Sequence, residues 1–141
     1  MILPDVNVLI YAFRREATDH ARYRHWLDSI VNSAAVYALS PQVLSSVIRI
    51  LTDRRAFRGM YPLDEVLAFA NLLLNQPNCQ VVQPGARHWP IFHDLCRQSQ
   101  ATGDLVPDAW FAALAIEHGC EWITTDYDFA RFPALRWRTP F

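Results

Sequence analysis

Short apolar runs alternate along this chain with longer stretches in which apolar residues recur at three- and four-residue spacing. Met1-Ile2-Leu3 is the first such run and reads as a strand closed by Pro4-Asp5; residues 6–13 follow as a short helix with Val8, Leu9 and Ala12 on related faces. Residues 20–31 predict a second helix, with Asp19 as N-cap and a stripe of Tyr23, Trp26, Leu27 and Ile30. Residues 36–39 form a second strand, and Ser40-Pro41 opens a third helix as a cap followed by proline at the first helical position. That helix carries Val43, Leu44, Val47, Ile48 and Leu51. After a turn near Arg58-Gly59, residues 62–74 make a fourth helix that ends in Asn75-Gln76-Pro77-Asn78. A third strand at 79–82, helices at 89–98 and 107–118, a fourth strand at 122–124 and an edge strand at 135–137 complete the pattern. Strands separated by helices in this order predict an α/β fold with a mainly parallel central sheet of four to five strands. At 141 residues with 52% hydrophobic content, the chain suits one domain over 1–141.

Composition narrows the chemistry. No apolar run approaches the roughly 20 residues needed to span a bilayer, and the start lacks the features of a secretory signal, so a cytoplasmic protein with no membrane contact is expected. Cys79, Cys96 and Cys120 form an odd set without a C-x-x-C pair, which suits a reducing compartment. A net charge of -1 means that any contact with nucleic acid must be local. All 13 basic residues are arginine. The absence of lysine excludes a phosphate-binding loop that needs one, a Schiff-base lysine and a kinase-like lysine.

Three aspartates change the picture. Asp5 directly follows the first strand, Asp126 follows the fourth, and Asp108 stands in the first turn of an Ala-rich helix. In open parallel sheets, ligands bind beyond the carboxyl ends of the strands. Carboxylates gathered there repel one another and resist desolvation, so they call for a compensating cation or leave some of their number protonated. Asp104 and Asp128 extend the set to five. Each acid also has a local explanation: Asp5 as a helix N-cap, Asp108 as a complement to the helix dipole, Asp126 and Asp128 as turn residues.

The segments Ile2-Leu3-Pro4-Asp5-Val6-Asn7-Val8-Leu9, Gly103-Asp104-Leu105-Val106-Pro107-Asp108-Ala109 and Thr124-Thr125-Asp126-Tyr127-Asp128-Phe129, taken in order, resemble a PIN domain. More narrowly they resemble the VapC-type toxins of bacterial toxin-antitoxin pairs, over essentially the whole chain. The resemblance implies a three-layer α/β/α PIN-like fold and an endoribonuclease dependent on Mg²⁺, with Mn²⁺ as substitute. Its implied substrate is structured RNA, and its implied partners are a cognate VapB-type antitoxin and a second copy in a homodimer. Asp5, Asp108 and Asp126 match the acidic positions of the family and become the expected catalytic and metal-binding residues. Asp5 and Asp108 would be the principal ligands, and Asp126 a ligand or an orienter of water. Asn7, Thr124 and Ser46 would give hydrogen-bonding support, with Asp104 and Asp128 as acidic support.

One departure stands out. The family carries a glutamate on the helix after the second strand, and the matching stretch, Gln42-Val43-Leu44-Ser45-Ser46-Val47-Ile48-Arg49, has no acid; Ser46 occupies the place. Three accounts stay open: a site with fewer acids in which Asp104 or Asp128 compensates, a PIN-like module of reduced or no activity that acts by binding RNA or antitoxin, and a substitution introduced to tame a toxic protein. For RNA, the candidate contacts are Arg14, Arg15, Arg22 and Arg24, then Arg49, Arg54, Arg55 and Arg58, with Tyr11 or Trp110 stacking on bases. For partners, the resemblance points to the third and fourth helices and Val43, Val47, Ile48, Leu67, Phe69 and Leu72. His93-x-x-Cys96 and His118-x-Cys120 are only fragments of zinc spacing, and no serine has a nucleophile elbow. A phosphatase-like acid cluster would want a lysine and a second aspartate at position 7.

Overall fold

The computed structural model describes residues 1–56 and 61–141. Five strands, β1 (Ile2–Pro4), β2 (Tyr37–Leu39), β3 (Cys79–Val81), β4 (Glu121–Ile123) and β5 (Trp137–Arg138), form one sheet in the order β3-β2-β1-β4-β5. Every pairing is parallel. Six α-helices connect them: α1 (Val6–Phe13), α2 (His20–Val31), α3 (Pro41–Leu51), α4 (Leu63–Leu74), α5 (His88–Ser99) and α6 (Leu105–Glu117); a 3-10 turn covers Tyr127–Arg131. Parallel pairing demands a crossover between neighbouring strands, and the alternating apolar pattern of the sequence supplies helices for it.

From β1 the chain steps outward through β2 to β3, then returns to the other side of β1 for β4 and β5. Right-handed crossovers in opposite directions place their helices on opposite faces, and the contacts agree: α1 packs on α2 and α3, α3 on α4, and α5 on α6. The layers are therefore α/β/α. The reversal of direction falls between β1 and β4, which makes the carboxyl ends of those two strands a switch-point crevice. Leu3, Ala38, Leu39, Trp122 and Ile123 are buried on the sheet, and Ala109, Ala112, Ala113 and Ala115 let α6 lie close to it. No helix among the described residues is long and apolar enough to cross a membrane.

The local signals held in several places and shifted in others. Ser40 caps α3 through the Gln42 N–H, with Pro41 in the first turn, as its sequence predicts. Asp19 does not cap α2: it sits at φ 61° in the left-handed region, and its side chain makes no cap bond. Its carbonyl still accepts from the Arg22 and Tyr23 N–H groups, so the backbone starts the helix without the carboxylate. Helix α6 begins at Leu105, two residues ahead of the expected start, which puts Pro107 at the third helical position. The first four N–H groups of a helix have no internal partner, so proline is harmless there too. The edge strand is Trp137–Arg138 rather than 135–137; Leu135 is buried in the turn that precedes it. The expected turn near Arg58-Gly59 lies outside the described residues.

Candidate functional site

Asp5 is the residue that β1 delivers to the crevice, and its two oxygens are both engaged. Oδ1 accepts from the Val6 N–H at 2.6 Å, which makes Asp5 the N-cap of α1. Oδ2 accepts from the Thr124 hydroxyl at 2.6 Å. The local explanation and the functional one thus coexist in one side chain. Thr124, fully buried just past β4, ties the site together: besides donating to Asp5, its oxygen accepts from Asn7 Nδ2 at 3.2 Å and from the Asp126 N–H at 3.0 Å. One hydroxyl has one proton and two lone pairs, and all three are used. Asp126 is then fixed by the 3-10 turn, its Oδ1 accepting from the Asp128 N–H at 2.9 Å.

Asp108 comes from the other side, on the first turns of α6. Together Asp5, Asp108 and Asp126 line a cleft of about 340 Å³, joined by Asn7, Ser46 and Arg49. Ile10, Phe111 and Phe129 supply apolar wall. Asp104 and Asp128 are exposed and do not line this cleft, although their charges reach Asp108. Ser46 does line it, so at the place where the resemblance leads to the expectation of a glutamate α3 brings a serine to the cleft.

The electrostatics follow from the geometry. Asp5 is 6% exposed, and burial pushes its carboxyl from 3.8 up to about 6; the Thr124 and Val6 hydrogen bonds pull it down, while the Asp108 and Asp126 charges add to the rise. Asp108 is likewise raised to about 6, by burial first and then by Asp126, Asp128 and Asp104. Such a group of acids is destabilised as anions and would be relieved by a cation. Among the described residues, no three His, Cys, Asp or Glu side chains close into a ready-made metal cage. The donors fit a hard cation that keeps part of its water shell and takes one or two carboxylates, as Mg²⁺ does, and they do not fit a closed zinc site.

Other expected contacts fall elsewhere. Trp110 packs edge-on against His88 and Phe92, and Tyr11 against Tyr23; neither lines the acidic cleft. Arg55 is turned onto Asp53, which binds its backbone and its guanidinium. Arg24 is paired with Asp28, and Arg22 lies over the Phe141 ring. Arg58 lies outside the described residues. A larger hollow of about 510 Å³, lined by Met1, Trp26, Ile30 and Tyr37, sits at the amino-terminal ends of the strands and gathers no acids. The chemistry therefore belongs to the smaller cleft.

Comparison with known proteins gives a consistent result. Residues 2–135 match the PIN domain family. The chain is 38% identical over 140 residues to VapC ribonuclease Mb2897 of Mycobacterium bovis, covering 99% of this chain and 95% of that protein. It is 37% identical over 136 residues to ribonuclease VapC25 of Mycobacterium tuberculosis, covering 96% of each. In structure it is similar to a chain of VapBC2 from Rickettsia felis bound to a DNA fragment from its promoter, with a TM-score of 0.70, 17% identity, and coverage of 99% and 98% of the two chains.

Proposed function

Because the chain belongs to the PIN-domain family and stands among its VapC ribonucleases, we propose that it is a Mg²⁺-dependent endoribonuclease toxin of a toxin-antitoxin pair, acting on structured RNA. The observation that carries this reading is the convergence of Asp5, Asp108 and Asp126 on one cleft at the switch point of the sheet. Asp5 and Asp108 would hold the cation, with Mn²⁺ able to substitute. When bound, it supplies positive charge for the phosphate and makes a water more acidic.

The rest is done by the chain. Thr124 holds the Asp5 carboxylate toward the cleft and anchors the Asp126 backbone. Asp126 keeps one oxygen on the Asp128 N–H, which leaves the other to orient the attacking water and take its proton. The oxygen of that water bonds to phosphorus as a bridging P–O bond breaks, and the leaving oxygen is protonated from solvent. Ile10, Phe111 and Phe129 form the apolar part of the wall beside these acids.

The test is cleavage of bulk transfer RNA by purified protein with Mg²⁺ or Mn²⁺, and with EDTA. Metal-dependent cleavage abolished by EDTA supports the reading. RNA binding without cleavage at any metal concentration would instead favour the alternative, a PIN-like module acting by binding, for which the specific observation is Ser46 on the cleft wall in place of an acid.

For partners, we propose a VapB-type antitoxin and a homodimer, supported by the exposed apolar side chains of α4. Leu63, Leu67 and Leu72 are 53%, 38% and 53% exposed. Val43 and Val47 of the expected partner surface are instead buried core, and Phe69 packs on Phe13, so α4 rather than α3 carries the free apolar area. Leu67→Asp is expected to weaken self-association by roughly tenfold or more in sedimentation, because it buries a charge at any interface formed there. An unchanged dimerisation constant would remove α4 from the contact.

A further inference from the structure

The geometry points to Arg49 as the residue that grips a phosphodiester of the RNA from the α3 wall of the acidic cleft. This rests on the ribonuclease reading and deepens it by naming a substrate contact. Among the described residues that line the cleft, Arg49 is the cation, set against Asp5, Asp108 and Asp126. Its guanidinium makes no hydrogen bond or ion pair with a described residue, whereas Arg24, Arg55 and Arg138 each pair with a nearby carboxylate. Its charge is felt by Asp53 beyond the end of α3, but that carboxylate is already held by Arg55. No ion pair among the described residues joins Arg49 to Asp5, Asp108 or Asp126, with which it shares the cleft.

The neighbour one turn earlier explains why this matters. Ser46 and Arg49 are three residues apart on one face of α3, and both line the cleft. A carboxylate at 46 would sit within reach of that guanidinium and compete for it, as an i,i+3 pair. With serine there, the α3 wall of this cleft of about 340 Å³ offers positive charge with no acid one turn before it. A phosphodiester entering this space finds the acids, and any cation they hold, on one side and a planar two-pronged donor on the other. Two parallel N–H bonds from Arg49 to its non-bridging oxygens would fix its orientation and offset the charge that grows there during in-line attack. In this chain, Arg49 does part of the neutralisation for which the α3 wall has no acid to hold a further cation.

The experiment reads RNA binding separately from catalysis. Bulk transfer RNA is titrated against protein in EDTA at several salt concentrations, and cleavage is measured with Mg²⁺. For Arg49→Gln the expected result is roughly tenfold weaker binding, a salt slope lower by about one, and a cleavage rate down roughly 100-fold. Arg49→Lys should recover the salt slope but not the rate, because it restores the charge without the fork. Arg97→Gln, an exposed change on α5 outside the cleft, serves as the reference. Unchanged binding and slope for Arg49→Gln while wild type still cleaves RNA would overturn the inference alone. So would unchanged RNA binding with weakened capture of an antitoxin peptide, which would make Arg49 a partner contact. Absence of metal-dependent cleavage by wild type would overturn the ribonuclease reading itself.

Discussion

Asp108→Asn is expected to abolish metal-dependent RNA cleavage and, in the absence of metal, to make the protein more stable at pH 7. The first effect follows from removing an anionic oxygen that the proposed metal site draws on. The second comes from the raised carboxyl. A group lifted from 3.8 to about 6 in the folded state favours folding below its unfolded value and loses that contribution as the pH climbs through about 6. At pH 7 the metal-free protein therefore carries an unfavourable anion in a half-buried place. Screened by solvent, the relief on neutralising it is about 1 kcal/mol, a rise of roughly 2–4 °C in the unfolding midpoint. The difference between variant and wild type should vanish only well below the unfolded value of 3.8, near pH 3 or lower, where the carboxyl is protonated in the folded and the unfolded chain alike. Thermal unfolding at about pH 3 and pH 7 in EDTA reads both arms. A variant that cleaves RNA at the wild-type rate, or is less stable than wild type at pH 7, would refute the placement of Asp108.

Thr124→Val should do the opposite to stability and lower activity without abolishing it. Valine has the shape of threonine but cannot donate to Asp5 or accept from Asn7 and the Asp126 N–H. The change strips three hydrogen bonds from a fully buried position, at a cost of about 2–4 kcal/mol. Loss of the Thr124 bond also lets the Asp5 carboxyl rise further, since that bond is the largest influence holding it down. Metal affinity and cleavage are expected to fall roughly 10–100-fold, as for other groups that orient a ligand without being one. Thr124→Ser keeps the hydroxyl and should retain most of both. Denaturant unfolding and cleavage rates of the two variants give the answer; equal behaviour of valine and serine would show that the hydroxyl is not the link.

Much of this architecture is visible in the residues because its signals are short-range. An apolar run followed closely by an acid marks the end of β1 and of β4, so the amino-acid order alone places Asp5 and Asp126 at strand ends. Ser40-Pro41 announces α3 for the same reason. The helix that carries Asp108 is also legible, but its start is not: Pro107 looks like a first helical residue and is the third. What the residues do not show is which groups face each other across the fold. Thr124 is expected as hydrogen-bonding support, but nothing local tells that its one hydroxyl serves Asp5, Asn7 and Asp126 together. Trp110 and Tyr11 lie close to acids in sequence yet point to other neighbours, since helix periodicity turns adjacent side chains to different faces. Arg49 looks no different from Arg54 until the third helix is set against the sixth. The similarity to VapC ribonucleases supplies the family, while the cleft distinguishes these residues from one another.

The bond between Thr124 and Asp5 joins residues 119 apart, across strands that pair only when nearly the whole chain is available. Contacts of such long range are made late, after the entropy of closing a large loop has been overcome. A chain emerging from the ribosome through α5 has no β4, no Asp108 and no Asp126, and so has no cleft. By this topology the acidic cleft is absent for as long as the chain is being made and closes only once its C-terminal third has been released.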